Sequence, residues 1–313
     1  MKVLLTSTSF QDCEGAHKEF LNQQGWDVSY LRGPLKKSEV IDVVADFDAL
    51  ICGDDELDRE VLEKGIQGKL RFISKYGVGL DKIDLVAAEE LGIPVTNCLG
   101  VNQIAVAEHV LAMLFSFFKN VHLSHEITSK GGWKRPLGNE LFGKKFGIAG
   151  LGAIGKELAK RTPFLGIETF VYDIKLDLAF IEEHNLTALS SVQELFKTCD
   201  IVSLHVPLLE STKGLISKSL LLDTTKSGMV LINTSRAGLV EEQDILDAIN
   251  AGKLGGYLTD VLAVEPMDSS CLLRNQPGVL ITPHVGSRTL ETIQRQGTMA
   301  VRNLVNISSE LYK

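Results

Sequence analysis

Short apolar runs alternate with stretches in which apolar positions recur every three or four residues, from the first residues onward. The runs read as buried strands and the recurring positions as amphipathic helices, so the pattern predicts a parallel sheet with helices on its faces. In the first hundred residues the strands fall at 3–5, 26–31, 48–52, 70–74 and 95–96. The helices between them run over 14–24, closed by Gly25; from a Ser38 cap through Ala45; over 58–64, ended by Gly65; and from an Asp84 cap to Leu91, stopped by Gly92. That set is a complete small α/β domain, with a loop at Gly77-Val78-Gly79. A helical pattern then extends from Gln103 to His125 and is apolar almost all round, which predicts burial between domains or in an oligomer interface. Strand–helix alternation resumes after loop material at 131–138. It gives strands at 144–149, 168–172, 200–206, 229–234, 254–260 and 279–282, helices over 153–165 and 241–251, and a last long helix over 289–311.

The second series opens on Gly150-Leu151-Gly152-Ala153-Ile154-Gly155, between a strand and a helix. Strand, G-x-G-x-x-G and helix are the context of a dinucleotide-binding turn. The first glycine allows the tight turn, the second lets a pyrophosphate approach the backbone, and the third lets helix and strand pack closely. The next strand ends in Asp173, 18 residues after Gly155, about where an acid binds the adenosine ribose hydroxyls. The fold class read from the pattern is therefore α/β, with two doubly wound parallel-sheet domains of Rossmann or flavodoxin type joined by long interdomain helices.

Composition narrows the function classes. The chain has 313 residues, 44% of them hydrophobic and 23% charged, which suits an ordinary globular protein of one large or two medium domains. A net charge of −8 argues against a nucleic-acid-binding face, although a local pocket can still be basic enough for an anionic substrate. Cys13, Cys52, Cys98, Cys199 and Cys271 are scattered and lack C-x-x-C spacing, so neither a zinc site nor a disulfide framework is expected. The first residues enter a strand without a signal-peptide plan, and the most apolar helical stretch, 110–118, is too short to span a bilayer. A soluble cytoplasmic protein with no membrane or nucleic-acid partner is expected.

Ligands of open parallel sheets bind beyond the carboxyl ends of the strands. There the second series carries Asn233-Thr234-Ser235-Arg236, Asp260, Glu265 and Thr282-Pro283-His284-Val285-Gly286. A site that moves hydride needs a partner that moves a proton, and His284 is the candidate. Glu265 would hold its other ring nitrogen and fix the tautomer, and Arg236 offers a planar fork for a carboxylate or carbonyl oxygen. No catalytic role is expected for the other six histidines. His122 and His125 lie one helical turn apart, but two ligands do not make a metal site, and no metal is expected. The stretch 138–145 mimics a phosphate-binding loop but has Lys145 where Ser or Thr should stand.

Arg236, Glu265 and His284, in that order after G-x-G-x-x-G and Asp173, resemble the D-isomer-specific 2-hydroxyacid dehydrogenases. The resemblance covers nearly the whole chain and includes Gly77-Val78-Gly79-Leu80-Asp81, the segment 233–238 and Thr282-Pro283-His284. It implies a substrate-binding lobe of residues 1–101 and 288–313, closing on an NAD-binding domain of residues 102–287. It implies His284 as acid/base, Glu265 as its partner, and Arg236 on the substrate carboxylate and keto oxygen. The backbone at Val78 and Gly79 would also hold the carboxylate. Gly150, Gly152, Ala153, Ile154, Gly155, Asp173, His205, Val206, Pro207, Thr234, Ser235, Arg236, Asp260, His284 and Gly286 would line NAD, with Asp260 at the nicotinamide amide.

The implied reaction is reversible hydride transfer between nicotinamide and C2 of a small 2-hydroxy or 2-oxo acid, in a homodimer. Phosphoglycerate dehydrogenase and glycerate dehydrogenase, or hydroxypyruvate–glyoxylate reductase, are the readings left open. Phosphoglycerate dehydrogenases usually carry an Arg-containing segment after the third strand. Here that stretch is Cys52-Gly53-Asp54-Asp55-Glu56, and Lys75 is the replacement cation to consider. Lys82 stands where the family often has Asn. Glu265 argues against a formate dehydrogenase. The alternative from another class is an NAD(H)-sensing interaction protein of the same fold. No appended regulatory domain is expected.

Overall fold

The computed structural model describes residues 1–311. The chain forms two compact units, Met1–Asn102 with the chain from Arg288 on, and Gln103–Ser287.

The first unit holds strands β1 (Lys2–Leu5), β2 (Asp27–Tyr30), β3 (Ala49–Cys52), β4 (Phe72–Lys75) and β5 (Val95–Thr96). They lie in the order β2-β1-β3-β4-β5 with every pairing parallel, the flavodoxin-type winding. Alternate residues go to opposite faces. Val3, Leu5, Ala49, Ile51 and Phe72 pack on one side, and Leu4, Leu50, Cys52 and Ile73 on the other. The last helix, Leu290–Leu311, covers the first of these faces through Ala300, Val301 and Leu304. It is pinned there by the Ser74 hydroxyl, which donates to the Ala300 carbonyl (2.8 Å), and by the Asn303 amide, which donates to the Asn97 carbonyl (2.9 Å).

At the carboxyl edge of this sheet Asp55 is buried. Its carboxylate accepts from the Thr6 hydroxyl, the Gly53 N–H (2.9 Å) and the Leu35 N–H (2.7 Å), so one side chain gathers the segments that follow β1, β2 and β3. Part of the acidic stretch after β3 is therefore scaffold.

The second unit holds β6 (Lys145–Ala149), β7 (Glu168–Tyr172), β8 (Thr187–Ala188), β9 (Ile201–Leu204), β10 (Met229–Asn233), β11 (Leu254–Thr259) and β12 (Val279–Ile281). Their order is β12-β11-β10-β9-β6-β7-β8, again with every pairing parallel. Counted from β6 this is the Rossmann order with one further strand on the β11 side. One face packs Ile148, Ile232 and Leu258 against Val110, Leu114 and Leu158. The other packs Val202, Leu231 and Tyr257 against Leu195, Phe196 and Ile245.

Several elements depart from the pattern reading. The helix expected over 103–125 is two helices, Gln103–Phe118 and Val121–Ser129, bent by 63°. Asn120 between them sits in the left-handed region at φ 52°, which ends a right-handed helix. The first of the two buries Val110, Met113 and Leu114 in the core of its own unit, which accounts for its apolar surface without an oligomer. The helix from Arg59 runs to Gln67 and closes at Gly68, because Leu70 folds directly over Gly65. The helices Leu178–Glu183 and Val192–Thr198 were not foreseen, although Asp177 and Ser191 cap them through the N–H groups of Phe180 (3.2 Å) and Glu194 (3.2 Å).

Replacing Asp55 by Ala removes the acceptor that the Leu35 and Gly53 N–H groups and the Thr6 hydroxyl share. Urea unfolding should then show a loss of about 2–3 kcal/mol. A loss below about 0.5 kcal/mol would show that the carboxylate does not hold these segments.

Candidate active site

Six neighbouring strands, from β7 across β6, β9, β10 and β11 to β12, carry the candidate residues at their carboxyl ends. At about 4.8 Å per strand the row is roughly 24 Å long. The strands β6 and β9 adjoin where the strand order reverses, the place at which a doubly wound sheet opens a crevice for a ligand. Gly150 leaves β6 at φ 102°, and a Cβ on it would stand 2.5 Å from the His205 carbonyl oxygen, so only glycine allows the two strand ends this close. A Cβ on Gly155 would stand 2.1 Å from the Gly150 carbonyl oxygen. One on Gly152 would meet nothing within 4 Å, which leaves that backbone open to an approaching group.

The helix Ala153–Arg161 starts at Gly152 with no side-chain cap, so its first N–H groups and its dipole favour an anion. Ala153 is exposed there, and Ile154 leans into the core. Asp173, just past β7, accepts from the Leu151 N–H (2.7 Å) and the Lys175 N–H (2.9 Å), which fixes it beside the glycine turn.

Past β9, His205 and Val206 are half-buried and Pro207 is exposed. Burial pushes the His205 imidazole down to about 3, so the ring is neutral at neutral pH, and its Nε2 meets the Ser203 hydroxyl at 2.8 Å. His205 Nδ1 and Thr234 Oγ1 are both buried with no hydrogen-bonding partner among the described residues. Buried polar atoms are costly unless bonded, so this edge suits a bound molecule with donors and acceptors of its own, as a dinucleotide has.

Asn233, the last residue of β10, is fully buried and braces the turn that follows. Its Oδ1 accepts from the Ser235 N–H (3.1 Å), and its Nδ2 donates to the Arg236 carbonyl (2.9 Å). The Ser235 hydroxyl ties the same turn to β9 by donating to the Leu204 carbonyl (2.7 Å). Arg236 thus projects from a rigid base, with one guanidinium N–H on the Ser235 carbonyl (2.8 Å).

Asp260 follows β11 and is only 2% exposed. Its carboxylate accepts from the Thr282 hydroxyl, the Val285 N–H (2.9 Å) and the Gly286 N–H (2.7 Å), with His109 Nε2 at 3.4 Å. These bonds grip the loop on both sides of His284, which stands at φ 52°. A non-glycine residue in that region costs about 1–2 kcal/mol, and the bonds to the two following N–H groups hold it there. His284 Nδ1 lies 2.8 Å from Glu265 Oε2, and Glu265 Oε1 accepts from the Leu262 N–H (2.9 Å). The carboxylate is anchored and takes the Nδ1 hydrogen, which makes Nε2 the ring atom able to accept or deliver a proton.

Residues 111–286 match the family model of the D-isomer specific 2-hydroxyacid dehydrogenase, NAD binding domain. The chain belongs to that family. It is 31% identical over 310 residues to a D-3-phosphoglycerate dehydrogenase of Methanocaldococcus jannaschii, covering 98% of this chain and 57% of that protein. It is 33% identical over 283 residues to a glyoxylate reductase of Thermofilum pendens, covering 88% of this chain and 82% of that protein. A solved structure of a Thermus thermophilus protein superposes with a TM-score of 0.88 at 33% identity, covering 99% of this chain and 97% of that one. The chain spans about half the length of the phosphoglycerate dehydrogenases it matches. In this dehydrogenase-family chain the dinucleotide that the β6–β9 edge suits is NAD.

The first-unit candidates lie at the carboxyl end of β4 and in the loop after it. Lys75 is 3% exposed, and its ammonium donates to Asp54 Oδ1 (2.6 Å) and to the Gly53 carbonyl. Val78 is exposed and Gly79 half-buried, and the Val78 carbonyl accepts from the Asn97 amide (2.7 Å). Reading along the sequence missed Asn233, Thr282 and His109 as parts of the site. Asn233 and Thr282 stood inside the segments already singled out. His109 lies in a helix far along the chain and carried no local signal.

Burial alone would raise the Asp260 carboxyl, but hydrogen bonds from His109, Thr282 and the two N–H groups outweigh it and hold the group below its ordinary 3.8. A lowered carboxyl adds stability above its unfolded value and loses it as pH falls through the folded one. Asp260→Asn should therefore cost about 2 kcal/mol at pH 7. The gap from wild type should close as pH drops below 3.8, where the wild type alone has this contribution to lose. Urea unfolding at pH 7 and pH 3 measures both, and an equal gap at the two would exclude an ionised clamp.

Proposed function

We propose that the protein is an NAD-dependent D-2-hydroxyacid dehydrogenase acting on a small 2-oxo or 2-hydroxy acid. The observation that carries this is the His284–Glu265 pair at 2.8 Å, on the same sheet edge as Arg236 and the Gly150–Gly155 turn. The Gly150–Gly155 turn, Asp173, His205 and Thr234 would hold NAD, which when bound would supply the hydride chemistry for C2 of the 2-oxo acid. Arg236, fixed at its base by the Asn233 turn, stabilises the negative charge that grows on the substrate oxygen. His284 delivers the proton from Nε2, while Glu265 keeps the ring oriented through Nδ1. Val78 and Gly79 are assigned to the substrate carboxylate. Asp173 takes the ribose hydroxyls, and Thr234 and His205 bond the dinucleotide through their buried polar atoms.

The favoured substrate has no phosphate, as in glyoxylate or hydroxypyruvate. Lys75, the cation the sequence offers to a phosphate, already has its charge balanced by Asp54 and its ammonium on the Gly53 carbonyl. A dianion would have to displace that carboxylate. A screen of NADH oxidation over 2-oxo acids tests this. Turnover should be highest on an unphosphorylated acid, and a higher kcat/KM on phosphohydroxypyruvate would reverse the choice of substrate. Arg236→Ala should raise the barrier by about 3–4 kcal/mol. His284→Ala should lower kcat by roughly a hundred- to ten-thousandfold with NADH still bound. NADH binding with no turnover on any acid would favour a sensing protein over an enzyme.

The reading includes a homodimer in the cytoplasm. The five cysteines stand as free thiols, which suits a reducing compartment. The helix Val121–Ser129 buries none of its residues, and Trp133, Leu137, Phe142 and Phe164 are largely exposed, apolar side chains that a second copy would cover. Sedimentation equilibrium should give twice the chain mass, and Trp133→Glu with Phe164→Glu should halve it. A monomeric mass for the wild type would remove the dimer.

A further inference from the structure

We propose that His109 is a positioning residue for His284: acting through Thr282 and Asp260, it holds the loop from Thr282 to Gly286 in the bend that presents the His284 ring to Glu265. The inference rests on the reading of His284 as the proton carrier. His109 belongs to the helix Gln103–Phe118, and its side chain is 18% exposed. Its Nε2 lies 2.9 Å from Thr282 Oγ1 and 3.4 Å from Asp260 Oδ1.

The Thr282 hydroxyl has one hydrogen, which it gives to Asp260. Its oxygen can then only accept from His109, so Nε2 carries the hydrogen and points it at the Thr282–Asp260 pair. Asp260 passes the constraint on by accepting from the N–H groups of Val285 and Gly286, the two residues that follow His284. The packing leaves little slack. A Cβ on Gly286 would stand 2.9 Å from Asp260 Oδ2 and 3.5 Å from His109 Cδ2. His284 keeps its left-handed backbone only while these bonds outweigh the steric cost, so losing the His109 donor should let the loop relax and turn the ring away from Glu265.

The test compares wild type with His109→Leu, which removes the donor, and His109→Gln, whose amide can still donate. Four properties are followed on the full chain: kcat and KM for the best 2-oxo acid, NADH affinity, the thermal midpoint, and the 15N shifts of the His284 ring in histidine-labelled protein. In His109→Leu kcat should fall by up to about a hundredfold, with NADH affinity within about twofold of wild type. The ring signals should move from the Nδ1-protonated tautomer toward the mixture of free imidazole. His109→Gln should restore most of both.

Unchanged tautomer signals in His109→Leu would overturn the proposal, as would a loss that Gln does not restore or a fall in NADH affinity that matches the fall in kcat. If His109→Leu does not fold, His109→Met, which likewise lacks the donor, takes its place, and the same outcomes apply. If the wild type turns over no acid, the reading of His284 fails, and the ring signals still decide whether His109 sets its tautomer.

Discussion

Every strand of the second sheet runs in the same direction, and the rest of the site depends on this. Parallel pairing sends all the carboxyl ends to one edge, so residues more than a hundred positions apart in sequence, such as Gly150 and His284, come to lie in one row. The row has a fixed order because the strand order reverses between β6 and β9. Glycine is obligatory at that reversal. The His205 carbonyl leaves no room for a side chain on Gly150, and the Gly150 carbonyl leaves none on Gly155. The sequence feature most easily recognised in this chain is thus the imprint of two close backbone approaches.

The His284 end of the row is held by different forces. His284 occupies a backbone region that disfavours its side chain, and a buried carboxylate from the end of the neighbouring strand keeps it there. Asp260 is buried with its hydrogen bonds satisfied, which lets a charge persist in a low-dielectric setting and makes the loop stiff. Glu265 is arranged in the same way, one oxygen on a backbone N–H and the other on the imidazole. Each of these candidate side chains is oriented by a group that is itself tied to the main chain, and Arg236 on its Asn233-braced turn follows that rule.

The acidic stretch after β3 divides its carboxylates between two tasks. Asp55 is buried and gathers three segments, while Asp54 is more exposed and pairs with Lys75. A composition-level view counts three negative charges in this stretch, at Asp54, Asp55 and Glu56. The structure shows that one of them is scaffold and that another balances a buried lysine. The local charge offered to a ligand is therefore set by pairing and not by the count of acids.

Much of this was legible along the chain. The alternation of strand and helix, the glycine turn with Asp173, and Arg236, Glu265 and His284 beyond strand ends all depend on local pattern or on motif spacing, which a sequence carries directly. The break at Asn120 and the continuation of a helix through Gly65 were not legible, because each is decided by what packs nearby. Nor were the parts of Asn233 and His109, since a polar side chain declares its role only through its partners. Sequence by itself determined the fold class and the kind of cofactor turn, and it singled out Arg236, Glu265 and His284 as candidates. Tertiary structure alone decided strand order, which carboxylates are buried, and which side chains hold His284 in place, because hydrogen bonds across 25 to 173 positions exist only once the sheet has brought their ends together.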